Sequence, residues 1–148
     1  MEQYNNIRWE WNDNKIFASL KNICKETKLK EFQFKLIHTI VVTKKELHRY
    51  DIKADNKCLY CGEKDSIDHT FINCQFVKIF ANDVIDWFNA FNNSKFASTI
   101  EEKLFGIISG FYEKEISKKF NDTILLMKYY IYTGKMHNQG IYLPLCLC

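Results

Sequence analysis

Cys58-Leu59-Tyr60-Cys61-Gly62, followed by His69-Thr70-Phe71-Ile72-Asn73-Cys74, is the stretch that decides how this chain folds. Its spacing is C-x2-C-x7-H-x4-C. Two residues between thiolates let both sulfurs reach one ion without strain, and borderline-soft sulfur and nitrogen donors suit tetrahedral Zn²⁺. Gly62 lets the chain leave the turn, and His69 and Cys74 return from a short helical stretch. Four protein ligands fill the coordination sphere, so the expected ion is one structural zinc with no open position for water or substrate.

Outward from this motif the pattern is helical. Upstream, Ile16, Phe17, Leu20, Ile23 and Cys24 lie on one helical face behind a capping Asp13, which predicts a first helix from Asp13 to Lys28. Leu29, Phe32, Leu36, Ile37 and Ile40 predict a second, ending near Val41, where a β-branched run weakens it. Thr43-Lys44-Lys45-Glu46 has the form of a capping box, so a short helix should run to Tyr50.

Downstream, Phe76, Val77, Phe80, Val84, Trp87, Phe88 and Phe91 form an apolar stripe read as core, closed by Asn92-Asn93-Ser94. A second capping box, Ser98 to Glu101, precedes Leu104, Ile107, Ile108 and Phe111, and a last helix carries Phe120, Ile124, Leu125, Met127, Lys128 and Ile131. The fold class is mainly α, a small helical domain organised around a CCHC zinc knuckle. It is read as one domain over 1–148, with N-terminal helices in 13–57, the knuckle in 58–74, C-terminal helices in 75–135 and a tail in 136–148.

The 148 residues are 47% hydrophobic and 16% aromatic, enough for one real core. Only one proline and five glycines occur, and nothing reads as an interdomain linker. No apolar run is long enough to span a bilayer, and Met1 to Trp11 lacks the basic patch and apolar stretch of a signal peptide. Three of the six cysteines share metal-ligand spacing with a histidine, which fits a reducing compartment, so nucleus or cytoplasm is expected.

These residues resemble the zinc-binding region at the C-terminal end of reverse transcriptases from non-LTR (LINE-type) retrotransposons. His69-Thr70-Phe71-Ile72-Asn73-Cys74 matches that family's H-x-F-x-x-C, and Phe34 to His38, then Thr43 to Arg49 and Ile52, are similar to the segment leading into its first cysteine. Val77, Phe80 and Trp87, then Leu104-Phe105-Gly106 and Asn121 through Ile131, extend the likeness over most of residues 30 to 135. Val41-Val42 stand where the family places a proline-containing turn, and Phe80 where Trp is common. The resemblance implies a module that helps a parent polyprotein hold RNA or DNA during target-primed reverse transcription, detached here as a tail or truncated copy. It implies no catalysis: no Tyr-x-Asp-Asp segment and no carboxylate cluster for two metal ions occurs.

Whole-chain charge, formally +3, argues only weakly for a polyanion. Locally, Lys25, Lys28, Lys30, Lys35, Lys44, Lys45 and Arg49 stand against Glu26, Glu31 and Glu46, seven cations to three carboxylates, a net +4. Lys53 and Lys57 continue this toward the metal. Solvated helix faces explain such lysines equally well. In the knuckle Glu63, Asp65 and Asp68 outnumber Lys64, which disfavours phosphate there. For RNA the candidate contacts are Lys44, Lys45, Arg49, Lys53 and Lys57, with Tyr60 as a stacking platform. The competing expectation is a zinc module that packs on a missing reverse transcriptase domain through an exposed apolar patch and binds no nucleic acid. His38 and His48 have no partner at ligand spacing, Cys24 reads as core, and the Cys146 and Cys148 ending reads as a chance apolar terminus.

Overall fold

A computed structural model describes residues 26–96 and 113–140. Four α-helices lie within them: α1 (Thr27–Ile37), α2 (Lys44–Arg49), α3 (Gln75–Asn92) and α4 (Lys114–Met136), with a π-helical turn at His69–Asn73. The only pairing of extended backbone among the described residues is an antiparallel bridge between Lys57 and Lys64. The helix expected over Asp13 to Lys28, the second capping box with Leu104 to Phe111, Cys24, and the Cys146 and Cys148 ending lie outside the described residues, save that Thr27 and Lys28 open α1.

The last helix is the centre of the architecture. α1 and α3 both pack on α4, and the π turn packs on α3 and α4. One face of α4 gives Phe120, Ile124, Met127 and Ile131 to a core shared with Val77, Ala81, Val84, Ile85 and Phe88 of α3. Leu125 turns the other way, into a second core with Leu29, Phe32 and Leu36 of α1, Val41 and Phe71. There the Phe32 ring meets Tyr129 and Tyr132 at 5.4 Å and Phe71 at 6.0 Å. A lysine sits among these side chains: the Lys128 ammonium is buried, donates to Gln33 Oε1 at 2.7 Å, and is pulled by burial down to about 7.

Two expectations are corrected. α1 stops at Ile37, short of Val41, because Thr39 turns left-handed (φ 55°). The Thr39 N–H then donates to the Leu36 carbonyl and the Ile40 N–H to the Lys35 carbonyl, which satisfies the last carbonyls of the helix and frees Val41 to enter the second core. α3 forms as the apolar stripe predicts, but the stripe is wider than the core face. Val77, Val84 and Phe88 are buried, Phe80 is half-buried, and Phe76, Trp87 and Phe91 are exposed. Asn93 closes α3 in the left-handed region, and the Asn89 side chain bonds Ser94 and Phe96, which stacks Phe96 on Phe120 at 4.4 Å.

A β-branched residue in the left-handed region is strained, and glycine there is not. Thr39 is exposed and only its backbone makes the closure. Thr39→Gly is therefore expected to stabilise the chain by about 0.5–1 kcal/mol, after glycine's larger unfolded-state entropy is offset against the relieved strain. Urea unfolding at constant slope measures it.

Candidate metal centre

The capping box before the knuckle is present: the Glu46 carboxylate accepts the Thr43 backbone N–H at 3.1 Å and also bonds the Thr43 hydroxyl. α2 closes at Asp51 (φ 57°), with the Ile52 N–H donating to the Leu47 carbonyl, and the chain turns toward Cys58. The Cys58 N–H donates to the Glu63 carbonyl at 2.6 Å and the Gly62 N–H to the Cys58 carbonyl at 3.0 Å. This folds the C-x2-C segment into a tight loop. Gly62 has φ +78°, and a Cβ there would meet nothing within 4 Å, so the backbone angle alone asks for glycine.

The four intervening residues of H-x4-C wrap into the π turn, whose closing bond runs from the Cys74 N–H to the His69 carbonyl at 3.0 Å. An α-helical register would rotate His69 and Cys74 apart; the wider π register puts them on one side. Cys74 also caps α3, where the helix N-terminus favours a thiolate. The four expected ligand atoms, the sulfurs of Cys58, Cys61 and Cys74 and a ring nitrogen of His69, all lie within 4.8 Å of one another. Cys58 and Cys74 sulfurs are 3.9 Å apart, as are those of Cys74 and Cys61, while Cys61 Sγ stands 3.1 Å from His69 Nε2. A tetrahedron with Zn–S bonds of about 2.3 Å has sulfur edges of about 3.8 Å. The donor set and its spacing fit zinc.

The contact with Cys74 holds Cys58 far below the usual thiol range, and the same contact, with burial, pushes the Cys74 thiol up. A bound dication removes the proton and makes both thiolates.

Beneath the knuckle lies a polar network that sequence reasoning missed. Asp65, counted above as one of the knuckle's repelling acids, is buried. Its Oδ1 accepts from Lys135 Nζ at 2.8 Å and from the Thr70 hydroxyl at 2.9 Å. Its N–H donates to the Asn56 carbonyl, and its carbonyl accepts the Lys45 N–H. The charge of Asp65 is thus spent inside the protein. The signal was Lys128 and Lys135 standing at helical spacing with Ile124 and Ile131 on an otherwise apolar face.

Of the residues expected to touch RNA, Lys45, Arg49, Lys53 and Lys57 are exposed and Lys44 is half-exposed. Tyr60 is placed differently from the expected stacking platform. Lys135 Nζ lies 5.5 Å over its ring, its hydroxyl donates to the Gln139 carbonyl at 2.9 Å, and burial pushes the phenol up to about 12, so it stays a neutral donor. The exposed aromatic beside the cations is Tyr50, which Arg49 covers at 4.9 Å while donating to its hydroxyl at 2.8 Å.

A mainly helical domain built around a Cys3His cluster defines a zinc-knuckle class of protein. A family model described as zinc-binding in reverse transcriptase matches residues 2–80, more than half of the chain, and the chain belongs to that family. The domain of this family is not itself catalytic. No curated protein and no solved structure matches the chain.

Proposed function

We propose that this chain is a module of a retrotransposon reverse transcriptase of the non-LTR type, in which one structural zinc on Cys58, Cys61, His69 and Cys74 fixes a surface that holds RNA during target-primed reverse transcription. The convergence of those four ligands, in a chain of this family, carries the reading. Zinc holds the loop and the start of α3, and no step of chemistry runs through it. Lys44, Lys45 and Arg49 on α2, with Lys53 and Lys57 on the segment entering the knuckle, supply the cations. Tyr50, exposed and flanked by Arg49, supplies a base-stacking surface beside the cations, with Tyr60, half-buried and braced on Lys135 and Gln139, behind it. Burial of Asp65 against Lys135 also leaves the knuckle less repulsive to phosphate than its sequence suggests.

Binding of single-stranded RNA is expected to weaken with salt, with log K falling by about 0.7 per neutralised phosphate on a logarithmic salt scale. Reversal of Lys44, Lys45 and Arg49 to glutamate is expected to weaken binding and reduce that slope by about 2. Absent or salt-independent binding contradicts the reading. One observation favours the alternative, a zinc module that docks on a reverse transcriptase domain of the parent polyprotein: α3 exposes Phe76, Ile79, Trp87 and Phe91, with Trp87 and Phe91 stacked at 5.7 Å. Self-association of the isolated chain with no RNA affinity would select it.

A further inference from the structure

A lysine at an otherwise apolar helix position is costly unless its charge is answered. Lys135, near the end of α4, is 1% exposed, and what answers it belongs to the knuckle: the Asp65 carboxylate at 2.8 Å and the face of the Tyr60 ring at 5.5 Å. Both partners lie in the loop that carries the first three ligands. Asp65 falls between Cys61 and His69 and holds Thr70, the neighbour of His69; Tyr60 falls between Cys58 and Cys61. The neighbouring Gly134 makes the approach feasible, since a Cβ there would stand 3.1 Å from the Tyr60 hydroxyl, which reaches past it to the Gln139 carbonyl.

We propose that Lys135 is a positioning residue for the metal centre, a buried cation on α4 that seats the ligand loop through Asp65 and Tyr60 and offsets the Asp65 charge beneath the anionic Zn(Cys)3His cluster. Three thiolates and one Zn²⁺ carry a net −1, and Asp65 adds another negative charge beneath them. Lys135 is the buried ammonium against this loop among the described residues. Groups outside the ligand set that orient and charge-balance a metal site contribute about 10–100-fold to metal affinity. Lys135 lies well past residue 80, where the family match ends, so the site depends on a residue of this chain beyond the matched span.

The inference rests on the zinc reading above, and the test separates the two. Zinc affinity of the full chain is measured against a competing chromophoric chelator, for wild type, Lys135→Met, Lys135→Gln, Asp65→Asn and the Asp65→Asn/Lys135→Met pair. The absorption of the cobalt-substituted chains is recorded alongside. Phe120→Leu, at a residue packed on Phe88 and Phe96, serves as a core control that lowers stability while leaving the Lys135, Asp65 and Tyr60 contacts in place. A wild-type chain that binds no zinc overturns the zinc reading itself. With zinc bound in the wild type, Lys135→Met, or Lys135→Gln should the former not fold, is expected to lose about 10–100-fold in affinity. The sulfur-to-cobalt charge-transfer band is expected to move to lower energy, because thiolates without the neighbouring cation give up electron density more readily. The paired variant is expected to lose less than the product of the single losses, since removing both charges leaves neither buried alone. Folded variants that match the Phe120→Leu control in affinity and keep the wild-type cobalt band overturn the proposal.

Discussion

Removal of zinc by a chelator, or replacement of Cys74 by serine, is expected to unfold the knuckle and most of the helical core together. Cys58 and Cys74 are members of the larger core, in the same cluster as Val77, Ala81 and Ile131, and Cys74 is also the residue from which α3 starts. Structural zinc in small domains is worth about 10–16 kcal/mol, as large as the whole stability of a typical domain. Apart from the metal, the loop around Cys58 is held by a few backbone bonds, the Lys57 and Lys64 bridge, the Asp65 network and the Tyr60 contacts with Lys135 and Gln139. Far-ultraviolet circular dichroism should therefore report a large loss of helix on chelation, reversed by zinc. Acidification should act in the same direction, since protons compete with the ion for three sulfurs and His69. A metal-free chain with unchanged helicity and a cooperative melt would argue against this.

The second large effect is expected from a chain ending at residue 112, which keeps the family-matched span, all four ligands and α3 but lacks α4. Such a chain should bind dyes for exposed apolar surface and show no dispersed amide spectrum. α4 supplies Phe120, Ile124, Met127 and Ile131 to one core and Leu125 to the other. Each buried apolar side chain of this size contributes about 1.5–3 kcal/mol, so these five alone match the full stability of a typical domain. Loss of Lys135 also strands the Asp65 carboxylate against Thr70 without its counter-charge. A truncated chain with native-like dispersion and wild-type zinc affinity would show that the knuckle folds without α4.

The Cys3His cluster was legible because metal chemistry constrains both residue type and spacing, and Cys58, Cys61, His69 and Cys74, which satisfy both, are brought together by the fold. Helices were legible where apolar periodicity ran long, as in α3 and α4. The end of α1 was not, because a left-handed closure at Thr39 is made by backbone hydrogen bonds that no side chain announces. The outer face of α3 was misread for a different reason. Phe76, Trp87 and Phe91 are as apolar as the core residues beside them, and composition cannot tell a buried aromatic from an exposed one. Asp65 and Lys135 were hidden by distance along the chain. Seventy residues separate them, and although Lys135 stands on an apolar helix face, nothing in the sequence names Asp65 as the carboxylate that answers it.

X-ray absorption at the zinc edge on the purified full chain, with the metal counted per polypeptide, tests the central claim most directly. One zinc per chain is expected, with three sulfurs at about 2.3 Å and one nitrogen at about 2.0–2.1 Å. A folded, helical chain that carries no zinc, or whose zinc is held by oxygen in place of any of the four side chains, would contradict the account.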